Sequence, residues 1–181
     1  MKQPTARKWF SVLQASYIMF NLQPHFNNFN KRLIKAPKLY FFDTGLLCYL
    51  LRIQNPEQLE SHPFRGAILE NWVISEVLKS FYNTGLPPPV YYWRDQHGHE
   101  VDLVLDRGHF LELCEIKAGA TFNEDFVLNL RWLNSLQNEK SGCVIYGGTE
   151  AFEYQEFKVE PWLGSFATKL LTADSRPVSR S

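Results

Sequence analysis

Cysteine is scarce in this 181-residue chain. Cys48, Cys114 and Cys143 are odd in number, widely spaced and set among apolar residues. That pattern argues against a disulfide framework or a zinc site and reads as reduced core thiols. No apolar run reaches the roughly 18 residues that a bilayer span requires, so no membrane association is expected. Lys2, Arg7 and Lys8 precede an apolar stretch over residues 9–20, as in a secretory leader. Ser11, Gln14 and Ser16 interrupt that stretch and no small-residue cleavage site follows, so a cytoplasmic location is the expectation. No Gly-x-x-x-x-Gly-Lys-Ser/Thr loop is present, so no ATP site is expected. There is no internal repeat and no nucleophile elbow.

Net charge is also lacking: 19 basic residues balance 19 acidic ones. The balance hides an asymmetry. Residues 1–55 carry eight Lys or Arg and a single acid, Asp43, while the remainder is acidic by the same margin. A basic first unit attracts polyanions through counterion release. Its alternative role is to pair with the acidic remainder or with an acidic partner. Apolar residues make up 45 % of the chain and aromatics 15 %, enough to build a sizeable core.

Periodicity divides the chain. Thr5 reads as a helix N-cap, and Ala6, Trp9, Phe10 and Leu13 follow at the spacing of one helical face, with Arg7, Lys8 and Ser11 opposite. Residues 17–22 read as a strand. Pro24 and the Asn-rich stretch around Asn27, Asn28 and Asn30 end it, and Lys31, Arg32 and Lys35 make the following loop basic. Residues 38–42 form a second strand, and Asp43 or Thr44 caps a short helix to residue 51. Helix, strand, basic loop and strand make the second half of a winged helix. Residues 1–55 are therefore read as a partial winged-helix-like unit, with Arg7, Lys8, Lys31 and Arg32 as candidate DNA contacts. A plain scaffold with solvated lysines is the alternative.

After a polar connection over residues 54–64, a long helix is predicted over residues 65–82, stopped by Gly85 and Pro87, Pro88 and Pro89. Strands follow over residues 90–93, 100–106 and 109–117, the last two joined by a tight turn at Asp106-Arg107-Gly108. In the middle strand Val101, Leu103 and Leu105 are expected on one face, with Glu100, Asp102, Val104 and Asp106 on the other. A helix over residues 123–136, a strand over 142–146 and one further strand over 152–159 complete the pattern. Residues 56–165 thus read as an αβββαβ sandwich, in the α/β class. The Ser- and Arg-rich tail, residues 166–181, is expected to be disordered.

Acidic residues at strand positions within apolar runs carry the chemical signal. Phosphodiester hydrolysis needs a hard divalent ion held by carboxylate oxygens and a cation or base near the attacking water. Asp102 lies mid-strand. Glu115 and Lys117 lie on the next strand, two residues apart and so on one face. A bulge or stagger would have to set the register for Asp102 and Glu115 to share one metal. The bland alternative is a strand edge with an ordinary Glu115–Lys117 ion pair. Arg94 and Asp95 line the cleft or form a turn ion pair. His97-Gly98-His99 reads as a turn, and His25, His62 and His109 have no evident partner.

The run Gly98-His99-Glu100-Val101-Asp102-Leu103-Val104-Leu105 followed by Glu115-Ile116-Lys117 resembles the PD-(D/E)xK restriction-endonuclease-like superfamily. Glu70, in Leu69-Glu70-Asn71-Trp72, matches the helical Glu that completes the metal site in that superfamily. Glu76 on the same helix and Glu100 are alternatives. The segments Pro37-Lys38-Leu39-Tyr40-Phe41-Phe42-Asp43-Thr44-Gly45-Leu46, Arg65-Gly66-Ala67-Ile68-Leu69-Glu70-Asn71 and Tyr92-Trp93-Arg94-Asp95 resemble the C-terminal domain of unknown function of prokaryotic AAA+-type ATPases. The resemblance runs from about Thr5 to Glu160, and the ATPase module of that family has no counterpart here. It implies a C-terminal fragment, truncated product or split partner. It further implies Glu70, Asp102 and Glu115 as ligands of Mg²⁺ or Mn²⁺, Lys117 beside the attacking water, and DNA as substrate. A non-cutting DNA-binding or protein-interaction module is the runner-up. A remnant that self-associates or relies on an ATPase partner is the third reading.

Overall fold

The computed structural model describes residues 3–25, 36–137 and 142–164, together with Phe166, Lys169 and Leu170. Helix α1 (Gln3–Ala15) leads into the antiparallel hairpin of β1 (Met19–Leu22) and β2 (Lys38–Phe41). Thr5 lies inside α1 rather than capping it, because the helix already begins at Gln3. Tyr17, at φ +55°, turns the chain out of the helix and into β1. Short helix α2 (Thr44–Leu50) is capped by Asp43, which accepts hydrogen bonds from the Gly45 and Leu46 amides. Helix α3 (Pro56–Glu60) occupies the expected polar connection. Asn55 caps it and Pro56 starts it, a short local signal inside a hydrophilic stretch.

Helix α4 (Arg65–Asn83) precedes a six-stranded mixed sheet. Its strands are β3 (Val90–Arg94), β4 (Glu100–Asp106), β5 (Leu111–Lys117), β6 (Gly142–Tyr146), β7 (Phe152–Tyr154) and β8 (Phe157–Pro161). Their spatial order is β3-β4-β5-β6-β8-β7. The first three strands are antiparallel. A crossover through a 3₁₀ turn (Glu124–Val127) and α5 (Leu128–Gln137) makes β6 parallel to β5. The apolar run over residues 152–159 is two strands, not one. Gln155, at φ +56°, folds it into a β7–β8 hairpin without a glycine or proline to mark the turn.

Two apolar clusters flank the sheet. Val73, Ile74, Val77 and Phe81 of α4 pack on Leu103, Leu105, Ile116 and Ile145, and Phe20, Leu22 and Tyr40 of the hairpin join this same cluster. On the opposite face Leu130 and Leu133 of α5 pack with Trp93, Val101, Val104, Leu113, Val144 and Phe157. The chain after β1 also extends the sheet edge: the Tyr92 amide donates to the Gln23 carbonyl and the His25 amide to the Tyr92 carbonyl. His25 has a partner after all, Asp106, 3.1 Å from its Nε2.

Cys114 and Cys143 stand opposite each other on parallel β5 and β6 with Cα atoms 4.6 Å apart, and they form a disulfide. This corrects the expectation of three reduced thiols; only Cys48 is free. The pairing is invisible in sequence because it depends on a register set across the α5 crossover. No helix among the described residues is long and apolar enough to cross a membrane.

Candidate metal centre

The centre begins with an irregularity in β4. Tyr91 pairs with Val104 and Trp93 pairs with Val101, so two residues of β3 span three of β4. The extra residue is a bulge at Asp102-Leu103. It changes the face alternation read from sequence. Val101 joins Val104 in the α5-side cluster, while Leu103 and Leu105 face α4. The bulge is what takes Asp102 out of simple alternation. Its neighbour ladder to β5 runs only as far as the Leu103–Cys114 pair. Past that point the Asp102 side chain substitutes for the ladder, its Oδ2 accepting a hydrogen bond from the Ile116 amide at 3.0 Å.

Glu115 and Lys117 stand beside it on β5. Glu115 is 1 % exposed, and its Oε2 accepts from Lys117 Nζ at 2.8 Å. Its other oxygen, Oε1, is buried and receives no N–H or hydroxyl donor, and the Glu115 carboxyl lies within hydrogen-bond reach of the Asp102 carboxyl. Two largely buried carboxyls at that range are not both charged unless a cation joins them; otherwise they share a proton. The strand ends in a tight loop: Gly147 donates to the Gly119 carbonyl, and a Cβ at Gly147 would lie 2.5 Å from the Ala118 carbonyl oxygen. Only glycine permits that approach.

The other side of Asp102 is built by distant parts of the chain. Lys38, the first residue of β2, places Nζ 2.8 Å from Glu70 Oε1 and 3.9 Å from Asp102 Oδ1, and it also forms an ion pair with Glu100. Tyr40 donates its hydroxyl to the same Glu70 oxygen. The Arg94 guanidinium pairs with Glu100 at 3.3 Å. Asn71, next to Glu70, locks this side together. Its amide oxygen accepts from the Phe41 amide at 2.7 Å and its NH₂ donates to the Phe41 carbonyl at 2.9 Å. Asn71 thus clamps α4 to the end of β2.

The electrostatics follow from this crowding. Burial, then the Glu115 and Glu70 carboxylates, push the Asp102 carboxyl well above the usual carboxylate range. Burial disfavours the charge on Lys38, but Glu70, Asp102 and Glu100 outweigh it and hold the ammonium above its ordinary value. Lys117 behaves alike: burial opposes its charge, and Glu115 and Asp102 prevail. Burial and Glu70 raise the Tyr40 phenol.

Glu70, Asp102, Glu115 and Lys117 are therefore brought into one neighbourhood. Glu76 is not; it pairs with Lys79 within its own helix. Among the described residues, no three His, Cys, Asp or Glu side chains are gathered closely enough to hold a metal as they stand. The reason is visible in the pairing: Glu70 is turned to Lys38 and Tyr40, and Glu115 to Lys117. In chemistry, the donor set suits a hard divalent ion: carboxylate oxygens only, with two largely buried carboxyls, Asp102 and Glu115, crowded together and raising each other's need for a cation. Arg7 and Lys8 stand exposed on α1, and Lys31 and Arg32 lie outside the described residues. Asp95 does not reach the centre. It is 1 % exposed and organises the His97-Gly98-His99 turn, accepting from both histidine amides and from the His99 ring.

Sequence reasoning missed Lys38 and Tyr40 as site residues, although both fell in a motif-bearing segment. Their alternation on one strand was the available signal; the helix they face lies some thirty residues on.

Residues 65–163, which contain α4, the bulge and the Glu115–Lys117 strand, match the model of a domain of unknown function, DUF4143. The chain belongs to the DUF4143 family. Residues 1–57 match a second domain of unknown function, DUF8612. Over 104 residues the chain is 38 % identical to the uncharacterized protein Mb2031c of Mycobacterium bovis and, to the same extent, to the uncharacterized protein Rv2008c of Mycobacterium tuberculosis. Each match covers 58 % of this chain and 23 % of the relative, so the chain aligns with about a quarter of the length of these curated relatives. No solved structure matches the chain.

Proposed function

We propose that this DUF4143 chain is a Mg²⁺-dependent DNA nuclease-like module of the PD-(D/E)xK kind, the C-terminal part of an AAA+-type ATPase architecture. The observation that carries the reading is the bulged strand that sets the Asp102 carboxyl against the buried Glu115 carboxyl, with Lys117 beside them. The element order from α4 to β6 is consistent with a restriction-endonuclease-like fold. That most of each mycobacterial relative lies outside the match leaves room for an ATPase module there.

Asp102 and Glu115, with Glu70, would hold the ion. When bound, Mg²⁺ supplies Lewis acidity for attack of water on a phosphodiester. Asp102, fixed by the Ile116 amide, keeps its carboxylate aimed while Glu115 holds Lys117. Lys117, cationic in this setting, orients the attacking water and the phosphate oxygens. Hydrolysis joins the water oxygen to phosphorus and breaks one P–O ester bond, the proton passing to the leaving oxygen. Arg7, Lys8, Lys31 and Arg32 belong to the basic first unit, residues 1–55, that would hold the DNA backbone.

A specific observation favours the second reading, a non-cutting DNA-binding or protein-interaction module. Lys38 already pairs with Glu70 and Lys117 with Glu115, so these carboxylates have counter-charges without an ion. Incubation of linear and supercoiled DNA with the protein in Mg²⁺ or Mn²⁺ separates the two. The nuclease reading expects cleavage by wild type, none by Asp102→Ala or Lys117→Met, and retained DNA binding by all three. DNA that is bound but never cut by wild type establishes the second reading.

A further inference from the structure

We propose that Lys38 is a built-in counter-cation of this centre, paired with Glu70 and Asp102, two of the three carboxylates that a divalent ion here would need, so that its side chain gates metal binding. The inference rests on the metal-site reading above and concerns how that site is controlled.

The geometry is that of a cation among three oxygen donors. One ammonium meets the carboxylates of Glu70, Glu100 and Asp102, contributed by α4 and β4, while itself belonging to the hairpin. Two residues along the same strand, Tyr40 donates to the Glu70 oxygen that Lys38 already holds. Glu70 Oε1 therefore has both its hydrogen-bond partners in β2. A divalent ion shared by Asp102, Glu115 and Glu70 requires Glu70 to release Lys38, because an ammonium and a metal ion in one carboxylate pocket repel at close range. Lys38 does not complete the cluster either. It pairs with Glu70, Glu100 and Asp102 but not with Glu115, whose buried carboxyl lies within hydrogen-bond reach of that of Asp102. The site thus retains a carboxylate that the tethered ammonium does not reach.

The backbone carrying Lys38 is fixed, so the gate is the side chain. Asn71 clamps Phe41, and Phe20 stacks on Tyr40 within the core. The Lys38 side chain is 22 % exposed, and its Nζ lies 5.3 Å from the centroid of the Tyr92 ring, at the sheet edge. A flexible four-carbon stem with one face to solvent can withdraw without unfolding the strand.

The test is calorimetric titration of Mn²⁺ into the full chain as wild type, Lys38→Met, Lys38→Arg and Asp102→Ala, with the thermal midpoint of each read with and without Mn²⁺. Lys38→Met removes the competing charge and keeps the stem. It is expected to bind Mn²⁺ about tenfold more tightly, since apparent affinity falls with the fraction of the site that is open. Its midpoint should drop in metal-free buffer and recover on adding Mn²⁺ by more than wild type gains. Lys38→Arg should resemble wild type. Equal or weaker Mn²⁺ binding by Lys38→Met, with wild-type binding intact and lost in Asp102→Ala, overturns the gate and leaves the metal site standing. Absence of binding in both folded wild type and Lys38→Met overturns the metal site and the gate together. If Lys38→Met does not fold without metal, Lys38→Gln, which keeps a hydrogen-bond donor but no charge, is read by the same criteria.

Discussion

Asp102 has two sides, and they are built in opposite ways. On one, Glu115 and Lys117 are two residues apart on a single strand, paired at 2.8 Å. On the other, Lys38, Glu70 and Glu100 come from β2, α4 and β4, and only the folded chain brings them together. The first side is a local pattern that period-two alternation makes legible. The second is a product of long-range packing, held by the Asn71 clamp. Spacing alone thus reveals the part of a site carried by one strand, Glu115 with its counter-charge Lys117, while Lys38 and Glu70 are supplied by the fold.

The largest loss is expected at Asn71, which is 3 % exposed. Asn71→Ala leaves the Phe41 amide and carbonyl without their side-chain partners and frees β2 from α4. A loss of about 3 kcal/mol in urea unfolding is expected. The far side should be released, with Glu70 no longer held by Lys38, while the Glu115–Lys117 pair persists. A loss below about 1 kcal/mol would show that the core alone seats the hairpin.

Asp95 supplies a control that touches neither side. Asp95→Ala should cost about 2 kcal/mol, because it strips the His97-Gly98-His99 turn of its acceptor. The pH dependence has a definite sign. Burial opposes ionisation of Asp95, yet the His99 ring and the His99 and His97 amides prevail and hold its carboxyl below the usual value. The folded value lies below the unfolded one. The stabilisation is therefore complete above the unfolded value of about 4 and is lost as pH falls through the folded value. Urea midpoints of wild type and Asp95→Ala should converge in acid; parallel profiles would contradict the assignment.

The smallest effect on stability is expected at Arg7 and Lys8. Arg7→Gln with Lys8→Gln should change stability by less than about 0.5 kcal/mol, since both are exposed. If α1 meets the DNA backbone, the slope of log affinity against log salt should flatten by about 2. An unchanged slope would remove α1 from the DNA-binding surface.

Much of the fold was legible because its signals are local. Strands β4 and β6 fall where alternation and apolar runs placed them, and α4 ends one residue beyond the predicted stop. The errors arise where a local cue is weak or a distant partner decides. The helix of residues 56–60 was hidden in a polar stretch, and the turn at Gln155 carries no turn residue. The bulge at Asp102 reversed the face of Val101, and the Cys114–Cys143 bond depends on a parallel pairing across 29 residues. Helix α1 shows the limit of periodicity from the other direction. Its apolar stripe exists, yet Trp9 is 62 % exposed and Phe10 45 % among the described residues. A pattern names a face without naming what covers it.

If Asp102 and Glu115 form one cation-binding centre, calorimetric titration of Mn²⁺ into wild type and Asp102→Ala separates the two proteins. Wild type is expected to bind at a single saturable site that is lost in a folded Asp102→Ala. Equal binding by both proteins, or none by a well-folded wild type, rules the shared centre out.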